Sequence, residues 1–136
     1  MRFDTKVVIA VREDLAVWQK LNVTAFLASA VAGGYPELIG ERYRDGSGNE
    51  YLPMLRQPVL VLAANVAALA AARARALARD VGVAVYIEEM FKTGNDADNR
   101  AAVEAVPADE LALAGIALYG PRNAIDKITK GMPLHP

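Results

Sequence analysis

Two glutamates, Glu88 and Glu89, directly follow the apolar run Val83-Ala-Val-Tyr-Ile87, and Thr93 lies shortly beyond in Lys92-Thr93-Gly94-Asn95-Asp96. A second charged group, Arg12-Glu13-Asp14, leaves another apolar run, Lys6–Val11, with Lys20 further along the same segment. If both runs are parallel strands of one sheet, these groups leave it at the same edge, the carboxyl end where α/β sheets place ligands. A carboxylate, an ammonium and a hydroxyl meeting there can orient a water and stabilise an oxyanion during ester or amide hydrolysis. The residues expected in such a catalytic group are Lys20, Glu89 and Thr93. Those expected to bind a ligand are Arg12, Asp14, Asn22, Glu88 and Asn95. Neighbouring strand residues point to opposite faces, so only one of Glu88 and Glu89 can face the cleft. The same residues could instead form a surface cluster of ion pairs, each worth about 0–1 kcal/mol. Asn22 stands inside an almost wholly apolar helical stretch, where asparagine is poorly suited. Its amide is expected either to meet a ligand or to satisfy groups of a neighbouring loop or partner chain.

Other chemistries are removed by composition. Among 136 residues there is no cysteine and one histidine, so neither a thiolate site nor a zinc site of two or three histidines can be built within one chain. His135 is penultimate and is expected to be mobile rather than a base. Asn95, Asp96, Asp98 and Asn99 resemble a calcium loop only superficially, lacking the glycine and distal glutamate at the required spacing, and are expected to cap a helix. No metal and no cofactor is expected. The 15 basic and 16 acidic residues nearly cancel, which argues against a tRNA partner. Arg73 and Arg75 lie about 200° apart on a helix, and only Arg75 and Arg79 share a face. Arg42-Tyr43-Arg44 is the one place where an aromatic residue is interleaved with basic ones. The charged N-terminal residues argue against a secretory leader. No apolar run approaches the ~20 residues of a membrane span, so no membrane partner and a cytoplasmic location are expected.

The elements that must position these groups alternate in type. Lys6–Val11, Pro58–Leu62, Val83–Ile87 and Leu111–Tyr119 read as strands, buried on both faces because they are apolar throughout. Helices are expected from about Ala16 to Ala32, ended by Gly33-Gly34; from an Asn65 cap to about Asp80; over Ala97–Val106; and from Gly120-Pro121 to about Lys130. The apolar stripe of the second is drawn from Val66, Leu69, Ala72 or Arg73, Ala76 and Leu77. Turn formers at Asp45–Asn49 between short aromatic segments predict a solvent-facing β-hairpin insertion near residues 40–57. The fold class is α/β, with one domain over residues 1–136 and a mostly parallel sheet. The first helix carries Val17, Trp18, Leu21, Val23, Phe26, Leu27 and Val31 around most of its circumference. Trp18 and Phe26 are expected in the core, and one face of the helix is expected against a second subunit, giving a homodimer.

Several segments in order, Val-Arg-Glu-Asp-Leu15, Leu21-Asn-Val-Thr-Ala-Phe-Leu27, Asp45-Gly46 with Gly48, Pro58–Leu62, and Gly115-Ile-Ala-Leu-Tyr-Gly-Pro121 with Ile125-Asp-Lys127, resemble an uncharacterised bacterial domain family related in fold to the archaeal-type peptidyl-tRNA hydrolases. The resemblance implies a three-layer α/β/α domain of the peptidyl-tRNA hydrolase II-like fold around a four-stranded mixed sheet, often dimeric, and implies no activity. Against the hydrolases themselves, Arg12, Asp14, Leu15 and Thr93 match their motifs. Thr24 and Gly94 stand at their glutamine positions, Glu89 stands at their loop aspartate, and Val17-Trp18-Gln19-Lys20 replaces their glycine–lysine run. Three functions follow for testing: a binding module for a small molecule or nucleotide conjugate, an ester or amide hydrolase, and a structural homodimer or partner-binding protein without a ligand site.

Overall fold

A computed structural model describes residues 2–136. Strand β1 (Thr5–Arg12) leads into helix α1 (Val17–Gly34), and the small hairpin β2 (Tyr43–Arg44) and β3 (Glu50–Tyr51) follows. Then come β4 (Val59–Ala64), α2 (Val66–Leu77), β5 (Gly82–Ile87), α3 (Asp96–Glu104), β6 (Leu113–Pro121) and α4 (Arg122–Ile128). Four of the strands form one sheet in the order β4-β1-β6-β5. β1 and β4 are parallel, whereas β6 runs antiparallel to both of its neighbours, β1 and β5.

The alternation of strands and helices thus gives the α/β class and the mixed sheet that the sequence implied. The expectation of a mostly parallel sheet holds for direction, since β1, β4 and β5 run the same way, but not for pairing. The last strand inserts between β1 and β5, so β1–β4 is the one parallel pair of the four-stranded sheet. Nothing in local sequence dictates that insertion.

Both faces of the sheet are covered, which is why the central positions of its strands are apolar. Val7, Ile9 and Val11 of β1 face α1, where Val23, Leu27 and Val31 are buried. Val8 and Ala10 face the opposite layer, against Leu69, Ala72 and Ala76 of α2 and Ile125 and Ile128 of α4. Gly115 lets α1 lie close to the sheet: a Cβ there would stand 2.7 Å from Val23 Cγ1 and 3.0 Å from the Ala10 carbonyl oxygen.

Caps account for several boundaries. The Asn65 side chain accepts a hydrogen bond from the Ala68 N–H at 2.8 Å, as the predicted α2 cap should. The α2 stripe is corrected: Leu69, Ala72, Arg73 and Ala76 are buried, whereas Val66 and Leu77 are exposed. The hairpin loop is ordered by Asp45, whose carboxylate accepts from the Tyr51 hydroxyl at 2.7 Å and from the Ser47 and Asn49 N–H groups. Those donors, Tyr51 foremost and then Asn49, hold the Asp45 carboxyl well below the usual carboxylate range. The C-terminal residues are also docked rather than loose. Ala63 N–H donates to the Pro133 carbonyl and His135 N–H to the Val61 carbonyl, both at 2.9 Å, so the tail covers the outer edge of β4.

Candidate functional site

β1 and β5 run in the same direction, and their carboxyl ends meet through side chains. Arg12 extends from the end of β1, placing Nε 2.7 Å from Asp14 and Nη2 2.6 Å from Glu88, while Nη1 donates to the Leu113 carbonyl at 3.2 Å. One guanidinium thereby ties together the ends of β1 and β5 and the start of β6. Burial opposes its charge, but hydrogen bonds to Asp14 and Glu88 outweigh that, and its pKa is raised. The expected choice between Glu88 and Glu89 does not arise, because both lie beyond β5 in a 3₁₀ turn over Glu88–Lys92, and Glu88 turns to Arg12.

Beside this cluster, and distinct from it, lies a cleft of about 360 Å³ between the first half of α1, the end of β5 and the segment leading into α3. Its apolar wall is a chain of rings. Trp18 meets Phe91 edge to face at a centroid distance of 5.8 Å; Phe91 meets Tyr86 at 5.1 Å, and Tyr86 meets Phe26 at 5.8 Å. Tyr86 is the floor, 2 % exposed, whereas Trp18 and Phe26 stand 61 % and 48 % exposed. The expectation that Trp18 and Phe26 belong to the core is therefore corrected. The helix is apolar on nearly all sides, and only Val23, Leu27 and Val31 are pressed fully into the sheet.

The polar groups of the cleft are three amides, two hydroxyls and one carboxylate. Asn22 Nδ2 donates to the Tyr86 hydroxyl at 3.2 Å, which gives the asparagine inside an apolar helix its partner. Burial pushes the Tyr86 phenol above its ordinary pKa, and the Asn22 amide draws it part of the way back. The Thr93 hydroxyl sits 3.0 Å from the Met90 carbonyl and against Asn99 Oδ1. Asn95 Oδ1 accepts from the Asp98 N–H at 2.8 Å and caps α3, the role expected for this stretch, while Asn95 also lines the cleft. Asp96 contributes the one carboxylate of the lining and is paired with Arg100.

Six of the eight site residues singled out in the sequence fall into two groups. Asn22, Thr93 and Asn95 line the cleft; Arg12, Asp14 and Glu88 form the neighbouring ion-pair cluster. Lys20 and Glu89, expected to act with Thr93, are not among the residues lining the cleft, and Glu89 is exposed. Tyr86 and Phe91 were not singled out, and Asn99 was read only as part of a helix-capping stretch. Phe91 carried a signal, an aromatic residue just beyond the end of a strand, but Tyr86 is indistinguishable in sequence from any buried strand residue.

A solved structure of a protein of unknown function from Agrobacterium tumefaciens strain C58 is similar to this chain at 50 % identity, with a TM-score of 0.95, covering 99 % of this chain and all of that one. No curated protein gives a match. A family model described as "Protein of unknown function (DUF2000)" matches residues 5–136, and the chain belongs to that family of uncharacterised proteins.

Proposed function

We propose that this protein is a small-molecule binding module whose cleft takes an uncharged, planar heteroaromatic ring, such as the base of a nucleoside or a pyridine carboxamide. The observation that carries this is the composition of the lining: the rings of Trp18, Phe26, Tyr86 and Phe91 beside Asn22, Thr93, Asn95 and Asn99, with no lysine or arginine and one carboxylate, Asp96, already paired with Arg100. Ligand sites are predominantly apolar with a few convergent polar groups, and the volume lies within their usual range. Ring faces offer stacking, and primary amides offer paired donors and acceptors that match a base edge or a carboxamide. A phosphate or carboxylate would find no cation here to compensate its desolvation. The hydrolase alternative lacks comparable support, because Lys20 and Glu89 stand outside the lining and Thr93 is already engaged by Met90 and Asn99.

The test is thermal unfolding with adenosine, guanosine, nicotinamide and adenosine monophosphate. A ligand at 100 times its dissociation constant adds about 2.7 kcal/mol, which for a chain of this length raises the melting temperature by about 9 °C. An uncharged ring compound should stabilise the wild type and the Glu89→Ala variant but not Asn22→Ala, and the phosphate should add nothing. Equal stabilisation of Asn22→Ala, or no response to any ring compound at millimolar concentration, refutes the proposal.

A further inference from the structure

The cleft does not end at Phe26. Trp18, Asn22, Phe26 and Ala30 follow one another at four-residue intervals along α1, so they form one row on the helix surface, about 18 Å long. The first three line the cleft of about 360 Å³, and Phe26 and Ala30 line a second hollow of about 460 Å³. Asp96, Asn99 and Val103 form the facing row on α3, three and four residues apart. Tyr86, Met90, Asp96 and Asn99 belong with Phe26 to both linings. Cleft and hollow are therefore two halves of one groove between α1 and α3, floored by the end of β5.

The halves differ in chemistry. The cleft half holds Asn22, Thr93 and Asn95. The hollow half has Leu27 and Val85 beneath it and Ala30 and Val103 at its sides. Beyond the shared residues, its polar groups are exposed ones on the rim. The Ser29 hydroxyl there donates to the Phe26 carbonyl, Arg100 is paired with Asp96, and Glu104 has no ion-pair partner among the described residues.

We infer that the hollow takes an uncharged hydrocarbon substituent of the same molecule whose ring occupies the cleft. The ligand class is then a heteroaromatic ring bearing an aliphatic tail of about five carbons, the length that spans the roughly 6 Å from Phe26 to Ala30. This rests on the assignment of the cleft to a ring. The amides of the cleft orient the ring, and the apolar walls of the hollow gain by covering the tail. A tail ending in a carboxylate does not fit, because Arg100 already serves Asp96 and the free charge of the rim, Glu104, is negative.

The experiment is titration calorimetry of two series: adenosine alkylated on its exocyclic amine, and nicotinamide alkylated on its amide, each with propyl, pentyl and octyl groups beside the unalkylated parent. In at least one series each methylene should tighten binding by about two- to fourfold up to pentyl, or about thirtyfold or more in all, and octyl should add little. Ala30 is exposed and glutamate is a good helix former, so Ala30→Glu charges the wall without disturbing the fold. In that variant the pentyl compound should bind no more than about threefold better than its parent. Asn22→Ala should weaken parent and pentyl compound alike, keeping their ratio. Binding of the parent with no gain from a tail in either series overturns this inference and leaves the ring assignment standing. A tail gain that survives Ala30→Glu overturns it equally. Tail-dependent binding that is lost in Ala30→Glu but indifferent to Asn22→Ala supports the hollow and overturns the ring assignment instead. No binding by any of these compounds overturns both.

Discussion

Gly115→Ala is the sharpest test of how α1 is held over the sheet. The new Cβ would lie 2.7 Å from Val23 Cγ1, 3.1 Å from Leu27 Cδ1 and 3.0 Å from the Ala10 carbonyl oxygen, where carbon–carbon contacts settle at about 3.5–4.0 Å. Ala10 belongs to the neighbouring strand and its carbonyl cannot retreat without breaking the β1–β6 pairing. The helix must therefore give, by roughly an ångström at Val23. Overpacking of this kind costs about 1–3 kcal/mol. For 136 residues, 1 kcal/mol corresponds to about 3–4 °C, so the melting temperature should fall by about 4–10 °C. Asn22 neighbours Val23, and its 3.2 Å bond to the Tyr86 hydroxyl stretches past the hydrogen-bonding limit with the same displacement. Calorimetry of the variant beside Gly33→Ala provides the assay. A Cβ at Gly33 meets nothing within 4 Å, and alanine there should stabilise by up to about 1 kcal/mol. If Gly115→Ala melts within 2 °C of the wild type, α1 is not seated on the sheet as described.

Three further outcomes are expected. Arg12→Ala, which strips the Leu113 carbonyl and two carboxylates of their shared donor, should lower stability by about 1–3 kcal/mol, whereas Glu88→Gln, at a half-exposed partner, should cost less than about 1 kcal/mol; urea unfolding distinguishes them. Because the folded-state pKa of Tyr86 is raised, the unfolded chain loses that proton first: stability is complete below about pH 10 and falls as pH rises through the raised value. Tyr86→Phe should flatten that alkaline fall, read by melting temperature against pH. Asn65→Ala, which removes the α2 cap, should destabilise by about 1 kcal/mol, or about 3–4 °C by circular dichroism.

Much of this architecture could be read along the chain, for reasons that also define where reading stopped. The four sheet strands announce themselves because both faces are covered and their central positions are apolar, and Asn65 and Asn95 mark helix starts because a side-chain acceptor there serves an otherwise unpaired N–H. The insertion of β6 between β1 and β5 depends on pairings across most of the chain and leaves no local trace. The cleft was half legible for the same reason. Asn22, Thr93 and Asn95 stand out as polar residues in unusual places, but Trp18, Phe26 and Leu27 look alike, and only tertiary packing decides that Leu27 is buried while Trp18 and Phe26 are left as walls. Arg12 and Glu88 were correctly placed at one edge, yet their charges satisfy each other instead of facing the cleft.

The position of β6 also orders events during synthesis. Among the described residues it is the one strand that β5 pairs with, and it is the last of the sheet strands in the chain. While the chain emerges, β1 and β4 can already pair, but β5 waits without a neighbour, and Tyr86 has no sheet to lie on. Every residue that lines the cleft precedes Leu113. A nascent chain halted just before that residue would hold the complete set of cleft side chains and still have no cleft.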